Sequence, residues 1–165
     1  LIKASRFSNE KDPHSTAVLL LLQPGRVSWA HSGDSRLYRF RGDRLIFRTT
    51  DHSYVEQLVA QGKISAEQAL VHPNRNILLT SLGGVERPLI DFGEAEDLQA
   101  GDAFLLCSDG LWGYFSDSEL GGVVAAFSAR EACDTLINRA RTRAKGEGDN
   151  ISVAILKLVE VPKAK

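Results

Sequence analysis

Residues 103–113 read AFLLCSDGLWG, and the reading of that stretch decides the fold. AFLLC is a continuous apolar run, the pattern of a strand buried on both faces. Ser108-Asp109-Gly110 breaks it abruptly, and Gly110 permits a turn at φ > 0 or a close backbone approach. Leu111 and Trp112 then place bulky apolar groups directly behind the break. A carboxylate at the end of a buried strand needs a cation or hydrogen-bond donors, because burying an isolated charge is prohibitive. Taken alone, the stretch leaves two readings open. Asp109 is a turn residue capping a helix that starts near Leu111, or it is a metal ligand.

Two other segments repeat the pattern. Gly33-Asp34-Ser35 separates VSWAHS (27–32) from RLYRFR (36–41), and Gly148-Asp149-Asn150 precedes ISVAILKLV (151–159). Each Asp-Gly pair alone is more often a turn, since both residues are favoured there for backbone reasons. Three such aspartates at the edges of strand-like runs in a short chain suggest carboxylates converging on one rim. Mg²⁺ and Mn²⁺ favour oxygen ligands of this kind.

Outward from these points, TAVLLLLQ (16–23) reads as a strongly buried strand, Pro24-Gly25 as a turn and residues 26–32 as the return strand. Residues 36–41 and 44–49 follow with Gly42-Asp43 between them, so four strands joined by tight turns predict an antiparallel meander. The period then changes. Tyr54, Val55, Leu58 and Val59 recur at helical spacing behind Ser53, with Glu56 three residues on. Ser65 with Gln68 opens a second short helix, and residues 88–96 read as an edge strand that tolerates Pro88 and acidic residues. Ser116 with Glu119 and Ser128 with Glu131 start two more helices. In the second, Ala132, Cys133, Leu136, Ile137 and Ala140 form an apolar stripe. The polar first 15 residues predict little regular structure beyond LIKASR as the tail of a helix. Strands and helices in separate runs predict an α+β layered domain.

The bulk numbers bound the function. A chain of 165 residues suits one domain, 1–165, with a real core. A net charge of −1 without a basic run argues against nucleic-acid binding. Two isolated cysteines, Cys107 and Cys133, fit neither a disulfide framework nor a zinc motif, so a cytoplasmic setting is expected. The longest apolar run, residues 17–22, is too short for a membrane segment. The chain contains no Met and starts at Leu1 in ordinary domain sequence, and is therefore expected to be part of a longer protein.

AHSGDSRLYRF (30–40), TTDHS (49–53), HPNRN (72–76), AFLLCSDGLWGYFSD (103–117) and GDNISVAIL (148–156) occur in this order. Together they resemble the metal-dependent protein phosphatase 2C family, in its bacterial serine/threonine form, over residues 15–159. The resemblance implies a layered β-sandwich of two antiparallel sheets flanked by helices, here incomplete at the N-terminus. It implies Mn²⁺ or Mg²⁺, two or three ions, with Asp109 and Asp149 as ligands of a binuclear centre. Asp34 would join Asp109 at a third site, and residues 51–76 would form the flap that helps choose substrates. The implied reaction is hydrolysis of phosphoserine or phosphothreonine by a metal-activated water. The implied partner is a phosphorylated protein, opposing a serine/threonine kinase.

The departures are equally definite. The family's phosphate-binding Arg near an Asn-Glu-Asp run, and its Asp-Gly-x-Gly-Gly with the bridging Asp, are not in this sequence and are expected upstream of Leu1. Thr80 stands where many members carry Arg. None of His14, His31, His52 and His72 is assigned as a general acid, and His31 is expected to be a satisfied core or edge residue. Cys107 is expected to be inert. The chain alone is expected to be poorly active. The alternative function is a catalytically inactive phosphatase-like module that binds protein.

Overall fold

The apolar run around Leu105 forms a strand that is paired on both sides. The computed structural model describes residues 14–83 and 87–160. In chain order the elements are β1 (Ala17–Gln23), β2 (Arg26–Ser32), β3 (Arg36–Arg41), β4 (Arg44–Arg48), α1 (Tyr54–Ala60), α2 (Ala66–Leu70), β5 (Asp91–Ala95), β6 (Asp102–Cys107), α3 (Asp109–Trp112), α4 (Asp117–Ala126), α5 (Ala129–Ala144) and β7 (Val153–Lys157). They form two antiparallel sheets with helices, ordered β1-β2-β5 and β4-β3-β6-β7. The expected helix tail at residues 1–6 lies outside the described residues.

The chain divides into two compact units. One holds β3, β4, β6, β7 and helices α3 to α5. Its central strands run antiparallel with Arg36 opposite Cys107, Tyr38 opposite Leu105 and Arg41 opposite Asp102. On the far side of β6, Cys107 faces Val153 and Ala103 faces Lys157. Tyr38, Phe40, Ala103, Leu105 and Cys107 share a core with Leu120 and Val124 of α4 and with Ala132, Leu136 and Ala140 of α5. The α5 residues are spaced by four, which stacks them along one face of the helix. Leu37 and Phe104, alternating to the other side of the same strands, are also fully buried. The expectation of a strand buried on both faces therefore holds.

Capping fixes where these helices begin. Ser116 and Ser128 each accept a hydrogen bond from the amide three residues on, and Glu119 and Glu131 bond back to the capping residues. Each such cap contributes about 1 kcal/mol. At Gly121 an added Cβ would lie 2.2 Å from the carbonyl oxygen of Asp43, so α4 meets the β3–β4 turn backbone to backbone.

The other unit holds most of β1, β2 and β5 with α1 and α2. Two expectations are corrected here. The four-strand meander splits, with β1 and β2 pairing in one sheet and β3 and β4 in the other. The turn at Gly33, whose φ of +99° is open mainly to glycine, marks the change of sheet. The first strand, expected to be strongly buried, leaves Leu19 65% and Leu21 58% exposed. It lies at the edge of its sheet, and apolar composition alone does not say which strand finds cover.

Candidate metal centre

The two turns that end β6 and precede β7 are fastened to each other. Ser108 donates its amide to the carbonyl of Ser152 at 3.1 Å, and its hydroxyl accepts from the amide of Ser152 at 3.0 Å. The same hydroxyl donates to the carbonyl of Asn150 at 3.2 Å. Gly110 completes the fit, since a Cβ there would stand 2.3 Å from the Asn150 oxygen and 3.2 Å from that of Asp149. Asp109 and Asp149 therefore occupy the same end of the sheet β4-β3-β6-β7. Their carboxylates accept from the next amide in each turn, Gly110 N–H at 2.9 Å and Asn150 N–H at 2.6 Å.

Asp109 is the first residue of α3, whose N-cap is Ser108. The helix thus starts two residues before the expected Leu111, with Asp109 inside it. Trp112, at its end, lies under the Arg36 guanidinium, 3.4 Å from the ring centroid. A cation on an indole face is attractive, so the Arg of the GDSR stretch holds the indole of the SDGLW stretch. Arg36 also donates to the Tyr38 hydroxyl at 3.1 Å, and burial pushes that phenol well above its ordinary pKa, so it stays neutral. Sequence reading missed this role of Arg36. The signal available was an Arg at the start of β3, five residues before Arg41 and directly after the Gly33-Asp34-Ser35 turn.

Asp34 follows β2 in the other unit, two residues before β3 begins. Among the described residues, the one group of three or more His, Cys, Asp or Glu side chains close enough to share an ion is His31, His52 and Asp91. His31 corrects a further expectation. It is buried, and its Nε2 donates to the carbonyl of Thr50 at 2.9 Å, but its Nδ1 has no hydrogen-bond partner among the described residues.

A fourth aspartate, Asp102, sits at the opposite end of β6. Fully buried, it takes hydrogen bonds from Arg39 Nη2 and Arg41 Nε, each at 2.7 Å, and from the Gln99 amide at 3.1 Å. Burial pushes its carboxyl pKa up, but the two guanidiniums outweigh that and hold it at about 2. Asp97 binds Arg39 at 2.7 Å and Arg41 at 3.4 Å from the surface side.

The chain is similar to known bacterial phosphatases in sequence and in fold. The protein phosphatase PhpP of Streptococcus pneumoniae is 35% identical over 147 residues, 88% of this chain and 58% of PhpP. The crystal structure of the serine/threonine phosphatase Stp1 from Staphylococcus aureus superposes with a TM-score of 0.78 at 31% identity, over 88% of this chain and 56% of Stp1. By sequence and by fold, the chain is a homologue of bacterial serine/threonine phosphatases of the protein phosphatase 2C type. The catalytic domain of PstP, solved in complex with two manganese ions, matches with a TM-score of 0.73 at 32% identity, over 89% of this chain and 60% of that one. No family model matches the chain. It spans a little over half the length of PhpP and of the two solved chains. No helix among the described residues is long and apolar enough to cross a membrane.

Proposed function

We propose that this chain supplies part of the catalytic domain of a metal-dependent protein serine/threonine phosphatase, with Asp109 and Asp149 holding Mn²⁺ or Mg²⁺. The observation that carries the reading is the contact of the SDG and GDN turns through Gly110. It sets Asp109 and Asp149, 40 residues apart in the chain, on adjoining turns, and carboxylate oxygens are donors that suit these ions. The two manganese ions of PstP support the same assignment. When bound, such ions neutralise charge on a phosphoryl group and make water a better nucleophile at neutral pH.

The chain's own residues have separable tasks. Asp109 and Asp149 bind through carboxylate oxygens. Gly110, lacking a side chain, lets their turns touch. Ser108 ties the turns together, and Arg36 fixes Trp112 and so the first turn. Asp34 enters on the sequence pattern as a ligand of a third ion. Two carboxylates do not fill the coordination of two such ions, so further ligands are required for full activity. The proposed substrate is a phosphoserine- or phosphothreonine-bearing protein, modified by a serine/threonine kinase, in the cytoplasm. Both compact units are proposed to belong to one domain.

The test is hydrolysis of an aryl phosphate and of a phosphothreonine peptide by the product of the full reading frame, with and without Mn²⁺. Asp109→Asn and Asp149→Asn are each expected to lower the Mn²⁺-dependent rate by about 10²-fold or more, the scale of losing transition-state charge stabilisation. Full activity in both variants refutes the reading.

A further inference from the structure

Two histidines and an aspartate meet at a point that the phosphatase reading does not use. His31 is the penultimate residue of β2, His52 lies just before α1, and Asp91 opens β5. One ligating atom from each lies within 4.8 Å of the others. Both imidazoles are buried, and their rings stack with centroids 4.6 Å apart.

The hydrogen bonds assign the nitrogens. His31 Nε2 donates to the Thr50 carbonyl, which places the ring proton there and leaves Nδ1 as a lone pair. That lone pair is buried without a partner among the described residues, a costly state for an acceptor. Metal-binding histidines characteristically anchor their second nitrogen on a carbonyl in this manner. His52 Nε2 lies 3.2 Å from Asp91 Oδ2. Neighbouring ligands of a tetrahedral ion with bonds near 2.1 Å stand about 3.4 Å apart. The Asp91 side chain is 56% exposed, so the cluster opens to solvent on one side.

We propose that His31 Nδ1, His52 Nε2 and the Asp91 carboxylate bind a zinc-class divalent transition metal. Two imidazole nitrogens and one carboxylate suit Zn²⁺ or Co²⁺, whereas Mg²⁺ and Ca²⁺ favour oxygen ligands throughout. Closing the widest gap requires the stacked rings to turn so that both ligating nitrogens face the ion. His52 remains neutral on binding, its proton moving from Nε2 to Nδ1, and the 3.3 Å bond from the Gly33 amide is given up. The ion then ties the end of β2 and the start of β5 to the residue preceding Ser53, the N-cap of α1. It braces the base of the flap-like segment.

The experiment is a Co²⁺ titration read by visible absorption, and a Zn²⁺ titration read by calorimetry. Both use the chain carrying Asp109→Asn and Asp149→Asn, so that those carboxylates do not contribute. One ion per chain, a shifted Gly33 amide resonance and no displacement by excess Mg²⁺ are expected. Asp91→Asn, a change at an exposed position, is expected to weaken binding by about tenfold or more, and His31→Gln to do the same. Absence of uptake, affinity unchanged in both variants, or ready displacement by Mg²⁺ overturns the proposal. Should His31→Gln fail to fold, Asp91→Asn decides alone.

Discussion

Strand β6 begins with one aspartate and is followed, two residues past its end, by another, and the two ends treat them differently. Asp102 is sealed from solvent and clasped by Arg39 and Arg41. Asp109 sits in a turn pressed against the backbone of Asp149 and Asn150, and its carboxylate accepts from the next amide. Both stand beside a glycine at a strand edge, so the local sequence is nearly the same. The partners differ. An aspartate neutralised by built-in guanidiniums is committed to holding strands together, whereas the aspartates of the two touching turns are the ones proposed to share a cation.

The sharpest way to break this comparison is to remove each carboxylate in turn and measure stability. Asp102→Ala leaves two guanidiniums facing a hole, and stripping one partner from a buried ion pair costs about 3–5 kcal/mol. Urea unfolding is expected to show that loss. Asp109→Asn is expected to cost less than about 1 kcal/mol, as ordinary surface changes do. Equal losses at the two ends would erase the distinction. The acid limb offers a second reading of Asp102. Its folded pKa lies below its unfolded value of 3.8, so its contribution is complete above about pH 4 and fades as pH falls towards 2. A shift of this size corresponds to about 2 kcal/mol. Loss of that contribution on raising the pH instead would contradict the assigned ion pairs.

How much of this was legible in the sequence follows from the same pair of residues. The α+β layering, the β6 strand, the capped starts of α4 and α5 and the edge position of β5 were legible because period and capping chemistry are local. The aspartates of the two turns stood out by their setting, and their convergence by the resemblance of the ordered motifs. Asp102 drew no reading, although its setting, beside Gly101 at a strand edge, matches that of the three singled out. Its role depends on Arg39 and Arg41, more than 60 residues away and placed opposite by the register of β3 on β6. The exposed apolar face of β1 and the unsatisfied nitrogen of His31 were hidden for the same reason. Burial and hydrogen-bond completion are properties of the assembled fold, and no window of sequence contains them.

Gly110→Ala tests the functional end directly. The added methyl group would fall 2.3 Å from a backbone carbonyl, which cannot rotate away as a side chain can. The two turns must part, at a cost of about 1–3 kcal/mol typical of overpacking. Because they carry Asp109 and Asp149, Mn²⁺ affinity is expected to fall as well, read by calorimetry. A variant that loses stability but keeps its metal affinity would show that the contact serves packing alone.

The smallest expected effect supplies the yardstick for the others. Ser128 caps α5 by accepting from the Glu131 amide at 3.3 Å, while the Glu131 carboxylate accepts from the Ser128 amide at 3.1 Å. Ser128→Ala removes the first of these bonds and should cost about 1 kcal/mol. Helix α5 buries Leu136 in the same core as Leu105 of β6, so this loss is felt by the whole sheet. If activity depended only on how firmly the sheet holds together, Ser128→Ala and Gly110→Ala would lower it in proportion to their stability losses. The expected outcome is otherwise: Ser128→Ala shifts the unfolding midpoint and leaves Mn²⁺ affinity and turnover intact. Of these two changes, only Gly110→Ala, which separates the turns carrying Asp109 and Asp149, is expected to touch the chemistry.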